Sequence, residues 1–478
     1  MIIVQCNRKR PYGVRSFLCS IVFRFLLNKD YGFINYILSF INVGPINFLD
    51  DPKMSMFTLI IFGIWSGLAF NIIILIYYYK KKLGIFQAPF LMAYTSIFVL
   101  LPQLSSIYIS PFYEKYLIRD LGIIMATCNL TFILGFEIAK KQKITSSFFS
   151  SINYRKSKYI LFIFTILGLY SMTLWNDTFQ GSDNVIQANL KNFSQYAFCA
   201  IVTFIFRKNK SKYLYLLIIC TLVPLIYFAF FIKGSRGESL FLLITISFIL
   251  SMKYPQKHKL ISKSIFTILI IGAMLNASIT VIRHILVGNS NNENNSTQEL
   301  VLWEAFKTSF IQKDITVGMD LGNAAKGIRY LKETGQMDYG TSIWDTFIQN
   351  YIPRRLVGEE AKENLKLNIV NDKSTIQKLT YNITTMTGYY SAFKCFSYLG
   401  FFLFGIIGYL YGYFWRRICK SQICLFIYLS IIATIPLIFT HGVDYLYTRL
   451  IFIFLIIYPL SYYSIERKKI KASTKFIV

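Results

Sequence analysis

The chain has 478 residues, of which 54% are hydrophobic, 17% aromatic and only 15% charged, with a mean hydropathy of +0.47. Those proportions exclude an ordinary soluble domain and point to a chain that crosses a bilayer several times. The formal charge of +28 would draw a soluble protein to nucleic acid, but here Lys and Arg sit in short clusters between apolar runs, the pattern of membrane loops.

A spanning helix needs about 20 mainly apolar residues. Residues 1–55 form an N-terminal segment with one weak run at 32–49, and a transmembrane bundle follows over 56–283. Within it the predicted spans are 56–79, 86–109, 116–139, 158–175, 191–206, 213–232, 239–252 and 260–282. After a long polar interval come 391–414, 422–439 and 450–464, then a basic tail over 466–478. The predicted fold class is therefore an all-α polytopic membrane protein of about 11–12 transmembrane helices. Basic clusters at Lys80–Lys82, 140–158, 207–212, 253–259 and 416–420 recur at every second connection, which assigns them and both termini to the cytoplasm.

Residues 284–390 carry 12 acidic and 11 basic side chains, about half of all the acids, so this nearly neutral interval is predicted to be one large extracytoplasmic loop or cap. An Asn-rich opening at 289–295 reads as a linker. Helical spacing is present over 300–311 and 320–331, and GTSIWDTFIQNYIPRRL at 340–356 puts Ile343, Trp344, Phe347, Ile348 and Tyr351 on one face. Pro353 should end that helix, and its aromatic face is expected to lie on the membrane surface.

Candidate chemistry gathers on the extracytoplasmic side. FIKGSRGESLFLL at 231–243 places Lys233, Arg236 and Glu238 between two apolar runs, flanked by Gly234 and Gly237. Glycines let backbone N–H groups approach an anion, and a guanidinium can clamp a phosphate bidentately. The bland reading is a tight turn in which Arg236 and Glu238 pair with each other or with headgroups. Arg283 ends a span, Arg354 and Arg355 follow the amphipathic helix, and HGVDYLYTR at 441–449 supplies His441, Asp444 and Arg449. Each has a structural alternative: Arg283 as a snorkelling anchor, Arg354 and Arg355 on headgroups, His441 as a helix-end residue, Arg449 paired with Asp444. Together they read as a site for an anionic lipid. Neither D-x-D nor H-E-x-x-H occurs and no C-x-x-C pair is present, so no metal and no cofactor is expected.

The layout, with about a dozen spans and one large late loop, resembles the Wzy-type oligosaccharide repeat-unit polymerases of O-antigen and capsule. FQAPFLMAYTSIFVLLPQ at 86–103 is similar to their Pro-containing early span, KGSRGE to their glycine-flanked arginine turn, the segment ending in Ile-Pro-Arg to part of their large loop, and YLGFFLFGIIGYLYG at 398–412 to their Gly-punctuated late span. The resemblance covers about 56–465; where the family often continues into Trp-x-x-Lys-Pro, this chain reads LVGEEAK at 356–362. It implies transfer of a growing glycan from undecaprenyl diphosphate to a new lipid-linked unit at the outer face of the bacterial cytoplasmic membrane. It also implies a flippase and a chain-length regulator as pathway partners, and no nucleic acid. In that reading Arg236 and Arg449 clamp the diphosphate with Arg354, Arg355, Arg283 and Lys233 around it, and His441, ranked before Asp444 and Glu238, accepts the acceptor proton. An O-antigen ligase and a non-enzymatic flippase or transporter of the same lipid-linked oligosaccharide are the alternatives.

Overall fold

A computed structural model describes residues 56–81, 83–100, 103, 107, 115–142, 154–173, 185–206, 212–230, 236–269, 320–352, 357–367, 387–419, 421–447, 449–451 and 453–454. The chain divides into two units, Met1–Leu59 and Ile60–Val478. Among the described residues every regular element is helical. In chain order these include α1 (Met56–Tyr79), α2 (Ala88–Thr95), α3 (Lys115–Lys141), α4 (Tyr154–Thr173), α5 (Val185–Phe206), α6 (Lys212–Phe230) and α7 (Arg236–Lys253). Next come α8 (Asp320–Thr334), α9 (Thr341–Tyr351) and the short α10 (Glu359–Asn364), which belong to the long polar interval. The C-terminal part holds α11 (Gly388–Phe396), α12 (Phe401–Arg417), α13 (Gln422–Ile432) and α14 (Ile435–His441). Tyr116–Lys141, Gly388–Arg417 and Gln422–His441 are each long and apolar enough to cross a bilayer, and the protein is a membrane protein. The weak run at 32–49 and the helical spacing at 300–311 lie outside the described residues.

The spine of the second unit is the pair α3 and α12. A Cβ added to Gly135 would lie 2.0 Å from the Gly405 carbonyl oxygen, one on Gly408 2.0 Å from that of Phe132, and one on Gly412 2.3 Å from that of Phe136. Between apolar helices in lipid, association rests on close van der Waals contact, and glycine permits backbone to touch backbone. Thr131 Oγ1 adds a hydrogen bond to the Phe401 carbonyl at 2.8 Å, and the Arg416 guanidinium donates to the carbonyl of Lys140 at the other end of the interface.

Two predicted spans are broken rather than continuous. The run at 86–109 begins as α2 and passes into a π-helical turn at Ser96–Leu100. There Asn129 Nδ2 donates to Ser96 Oγ at 3.1 Å, Asn129 Oδ1 accepts from the Tyr389 hydroxyl at 2.9 Å, and the Ser96 and Tyr389 hydroxyls lie 3.5 Å apart, closing a buried polar triangle between the π-turn, α3 and α11. The run at 391–414 is split by a 3₁₀ turn at Ser397–Gly400, where Gly400 packs on the Ala392 carbonyl too closely for any side chain.

The helices of the polar interval pack on the bundle. Helix α8 lies against α3 and α11, with Gly327 accommodating the Tyr390 ring. Asp120, wholly buried near the start of α3, ion-pairs with Lys332 of α8 and with its neighbour Arg119 at 3.2 Å. Helix α9 ends at Tyr351 with Ile352 extended, as a residue before proline should be.

Candidate functional site

The last turn before α9 fixes the site. Asp338 Oδ1 accepts from the Gly340 N–H at 2.9 Å, and its carbonyl accepts from the Thr341 N–H and hydroxyl at 2.9 and 2.7 Å. Gly340 takes φ +83°, a left-handed conformation that glycine adopts without a Cβ clash. Behind this turn Lys394 of α11 places its ammonium 3.2 Å from Asp338 Oδ2, and both side chains are more than nine-tenths buried. The Asp338 N–H also donates to the Lys394 carbonyl at 3.1 Å.

The chain meets this pair again through the hairpin after α14. Gly442 ends α14 with φ +129°, which admits glycine alone without strain, and a helical turn over 444–447 follows. Asp444 of that turn, with Tyr447 and Ile451, faces Ile343, Trp344 and Phe347 of α9 across an open cleft of about 450 Å³. Thr346 donates its hydroxyl to the Asp444 carboxylate. Its size lies in the range of small-ligand sites, and its walls are mainly apolar and aromatic. The apolar face of α9 read from the sequence is thus turned over the hairpin, with Ile348 only 2% exposed and Trp344 at 45%. Helix α9 is braced from outside, since Trp344 Nε1 donates to the Leu365 carbonyl at 2.9 Å and Lys362 Nζ to that of Gln349 at 3.0 Å.

Burial pushes the Asp444 carboxyl up from 3.8 to about 6; the Lys394 ammonium pulls it down, Asp338 pushes it up, and the Thr346 hydroxyl pulls it down. Desolvation outweighs the lysine. Tyr447, raised by burial and by neighbouring Cys395 and Asp444 to about 12, stays a neutral hydroxyl donor at pH 7.

His441 sits at the end of α14 with its ring edge-on to Tyr445 at 5.6 Å and Nδ1 2.7 Å from Thr440 Oγ1. Thr440 donates its hydroxyl hydrogen to the Pro436 carbonyl at 2.8 Å, so its Oγ1 can accept from a protonated His441 Nδ1. Arg449 reaches inward, donating to Gln195 of α5 close to Tyr196, Cys199 and Tyr411. Its pairing with Asp444, allowed for in the sequence, gives way to this amide contact, since the hairpin turns the two side chains to different neighbours.

Arg236 and Glu238 form the first turn of α7 rather than the interhelical hairpin expected; Glu238, third in the helix, is an acid at its positive end, which that end favours. The side chains of Arg236 and Glu238 lie outside the described residues, as do Lys233, Arg283, Arg354 and Arg355 altogether. Asp338 and Lys394 were missed by the sequence reading. Lys394 had a signal, a lone cation at the head of an apolar run, and so did Asp120. No group of three or more metal-ligating side chains occurs among the described residues.

No family model matches the chain, and no solved structure matches it. A stretch of 66 residues, 14% of the chain, is 29% identical to the trehalose/maltose transport system permease protein MalF of Thermococcus litoralis. The chain spans about 22% of the length of that relative.

Proposed function

We propose that this protein polymerises lipid-diphosphate-linked oligosaccharide repeat units into surface polysaccharide, as a metal-independent glycosyltransferase at the outer face of a bacterial cytoplasmic membrane. The observation that carries the reading is the Asp444 carboxyl, held near neutrality at about 6 in an aromatic-walled cleft between α9 and the C-terminal hairpin. A proton acceptor works best with a pKa close to the working pH. Aromatic walls offer flat apolar faces to a sugar ring, and Thr346 and Tyr447 offer hydroxyls to its polar edge.

In this mechanism the acceptor hydroxyl loses its proton to Asp444 as its oxygen attacks the anomeric carbon of the donor glycan. The new glycosidic C–O bond forms while the bond from that carbon to the diphosphate oxygen breaks, and the lipid diphosphate leaves as the anion. Fixed positive charge must meet it. Arg236, Arg449, Arg354 and Arg355 are the residues proposed for that role, with Arg283 and Lys233 beside them, and His441 is the second proton acceptor. The resemblance in layout and in the Ile-Pro-Arg segment supports the same reading, and with it the cytoplasmic placement of the basic loops and both termini.

The short likeness to a sugar-transport permease favours one competing reading, a transporter of the lipid-linked unit. A strain lacking the gene separates the two. Surface glycan resolved on a gel should lose its ladder while single units still reach the surface; loss of the single units as well would overturn the polymerase in favour of transport.

A further inference from the structure

We propose that Asp338 and Lys394 are a positioning pair for Asp444, a buried counter-charge unit behind the cleft that sets which protonation state the cleft carboxyl holds. The proposal rests on the reading of Asp444 as proton acceptor, but it stands on its own geometry. The Lys394 ammonium lies 3.2 Å from Asp338 Oδ2, with side-chain exposures of 8% and 1%. Asp338 Oδ1 is tied to the Gly340 N–H at 2.9 Å, and Gly340 is itself part of the cleft wall. The Asp338 N–H to Lys394 C=O bond holds the turn to α11, and the Thr341 N–H to Asp338 C=O bond ties it to the start of α9. The pair therefore cannot rotate away from the cleft without undoing the start of α9.

A buried ion pair costs desolvation and is weak evidence for stability by itself. Here two acids share one lysine. Lys394 and Asp338 both act on the Asp444 charge, with opposite signs. Among the described residues, Thr346 of α9, Cys395 of α11 and Tyr447 of its own turn also face Asp444. Lys394 is thus the nearby cation from α11 that favours the ionised carboxylate, and Asp338 limits how far.

Opposite signs give a test that a scaffolding role would not pass. The full-length chain in lipid nanodiscs is titrated by infrared spectroscopy, with the Asp444 carboxyl band isolated by difference against Asp444→Asn. Lys394→Met should move the Asp444 midpoint up and Asp338→Asn should move it down, because losing a nearby cation disfavours the ionised carboxylate and losing a nearby acid favours it. The double variant Asp338→Asn/Lys394→Met should fall between the two, and it keeps the test open if the single Lys394 variant does not accumulate. Unmoved midpoints, or midpoints moved in the same direction, overturn the proposal. The readout needs no substrate, so opposite shifts alongside an intact polymer ladder in Asp444→Asn would sink the catalytic reading and leave the pair standing.

Discussion

Two buried aspartate–lysine pairs tie the polar interval to the spans, and they differ in charge balance. At Asp120 one acid meets two cations, Lys332 from α8 and Arg119 from its own helix, and the ammonium also lies 5.5 and 5.8 Å from the ring centroids of Tyr398 and Tyr116. At Asp338 one cation, Lys394, serves two acids, the second being Asp444 on a cleft. The first cluster is a closed fastening. The second leaves one carboxyl poised between its charged and neutral forms, which is how a protein keeps a base ready at neutral pH.

The largest effect expected from breaking this contrast is at Asp444. Asp444→Asn should lower polymer formation by about 10²–10⁴-fold, the usual worth of a positioned proton acceptor, at unchanged protein level in the membrane by immunoblot. Asp120→Ala should do the reverse. It strands Lys332 and Arg119 around a site that is wholly buried and should cost roughly 3–5 kcal/mol, seen as a lower thermal midpoint in nanodiscs.

Gly408→Leu tests the spine that holds both clusters in place. Its side chain would meet the Phe132 carbonyl oxygen 2.0 Å from the new Cβ, so α12 must move off α3. The expected loss is at least the ~1–3 kcal/mol of an overpacked core, with Gly408→Ala milder in the same thermal assay.

The subtlest effect to read is a pH dependence of stability. The folded Asp444 carboxyl, at about 6, lies above its ordinary 3.8, so the folded state binds the proton more tightly. The resulting stabilisation is complete below 3.8 and fades as pH rises through about 6. The thermal midpoint should therefore drop across that window in the wild type, and Asp444→Asn should flatten the drop.

The helices were legible because their cause is local. Long apolar runs specify spans: α1, α3 and α6 begin and end close to the runs at 56–79, 116–139 and 213–232, whereas α5 begins six residues before the run at 191–206. The breaks inside 86–109 and 391–414 were not, because the π-turn at Ser96 and the 3₁₀ turn at Ser397 follow from contacts with Asn129, Tyr389 and Ala392, far apart in the chain or set by close packing. At the site, His441, Asp444 and Arg449 were marked by being polar in a short connection. Lys394 and Asp120 carried an equal mark, a lone charge in an apolar run, and Asp338 looked like an ordinary turn residue in MDYG. That Asp338 and Lys394 meet is a fact of tertiary structure, between residues 56 positions apart (394 minus 338).

The most direct measurement is the pH–rate profile of polymer formation by the purified protein in vesicles supplied with lipid-diphosphate-linked repeat units. The account predicts an acid limb with its midpoint near about 6, missing from the residual activity of Asp444→Asn. A limb that persists unchanged in Asp444→Asn, or a rate that is flat through that range in the wild type, would contradict it.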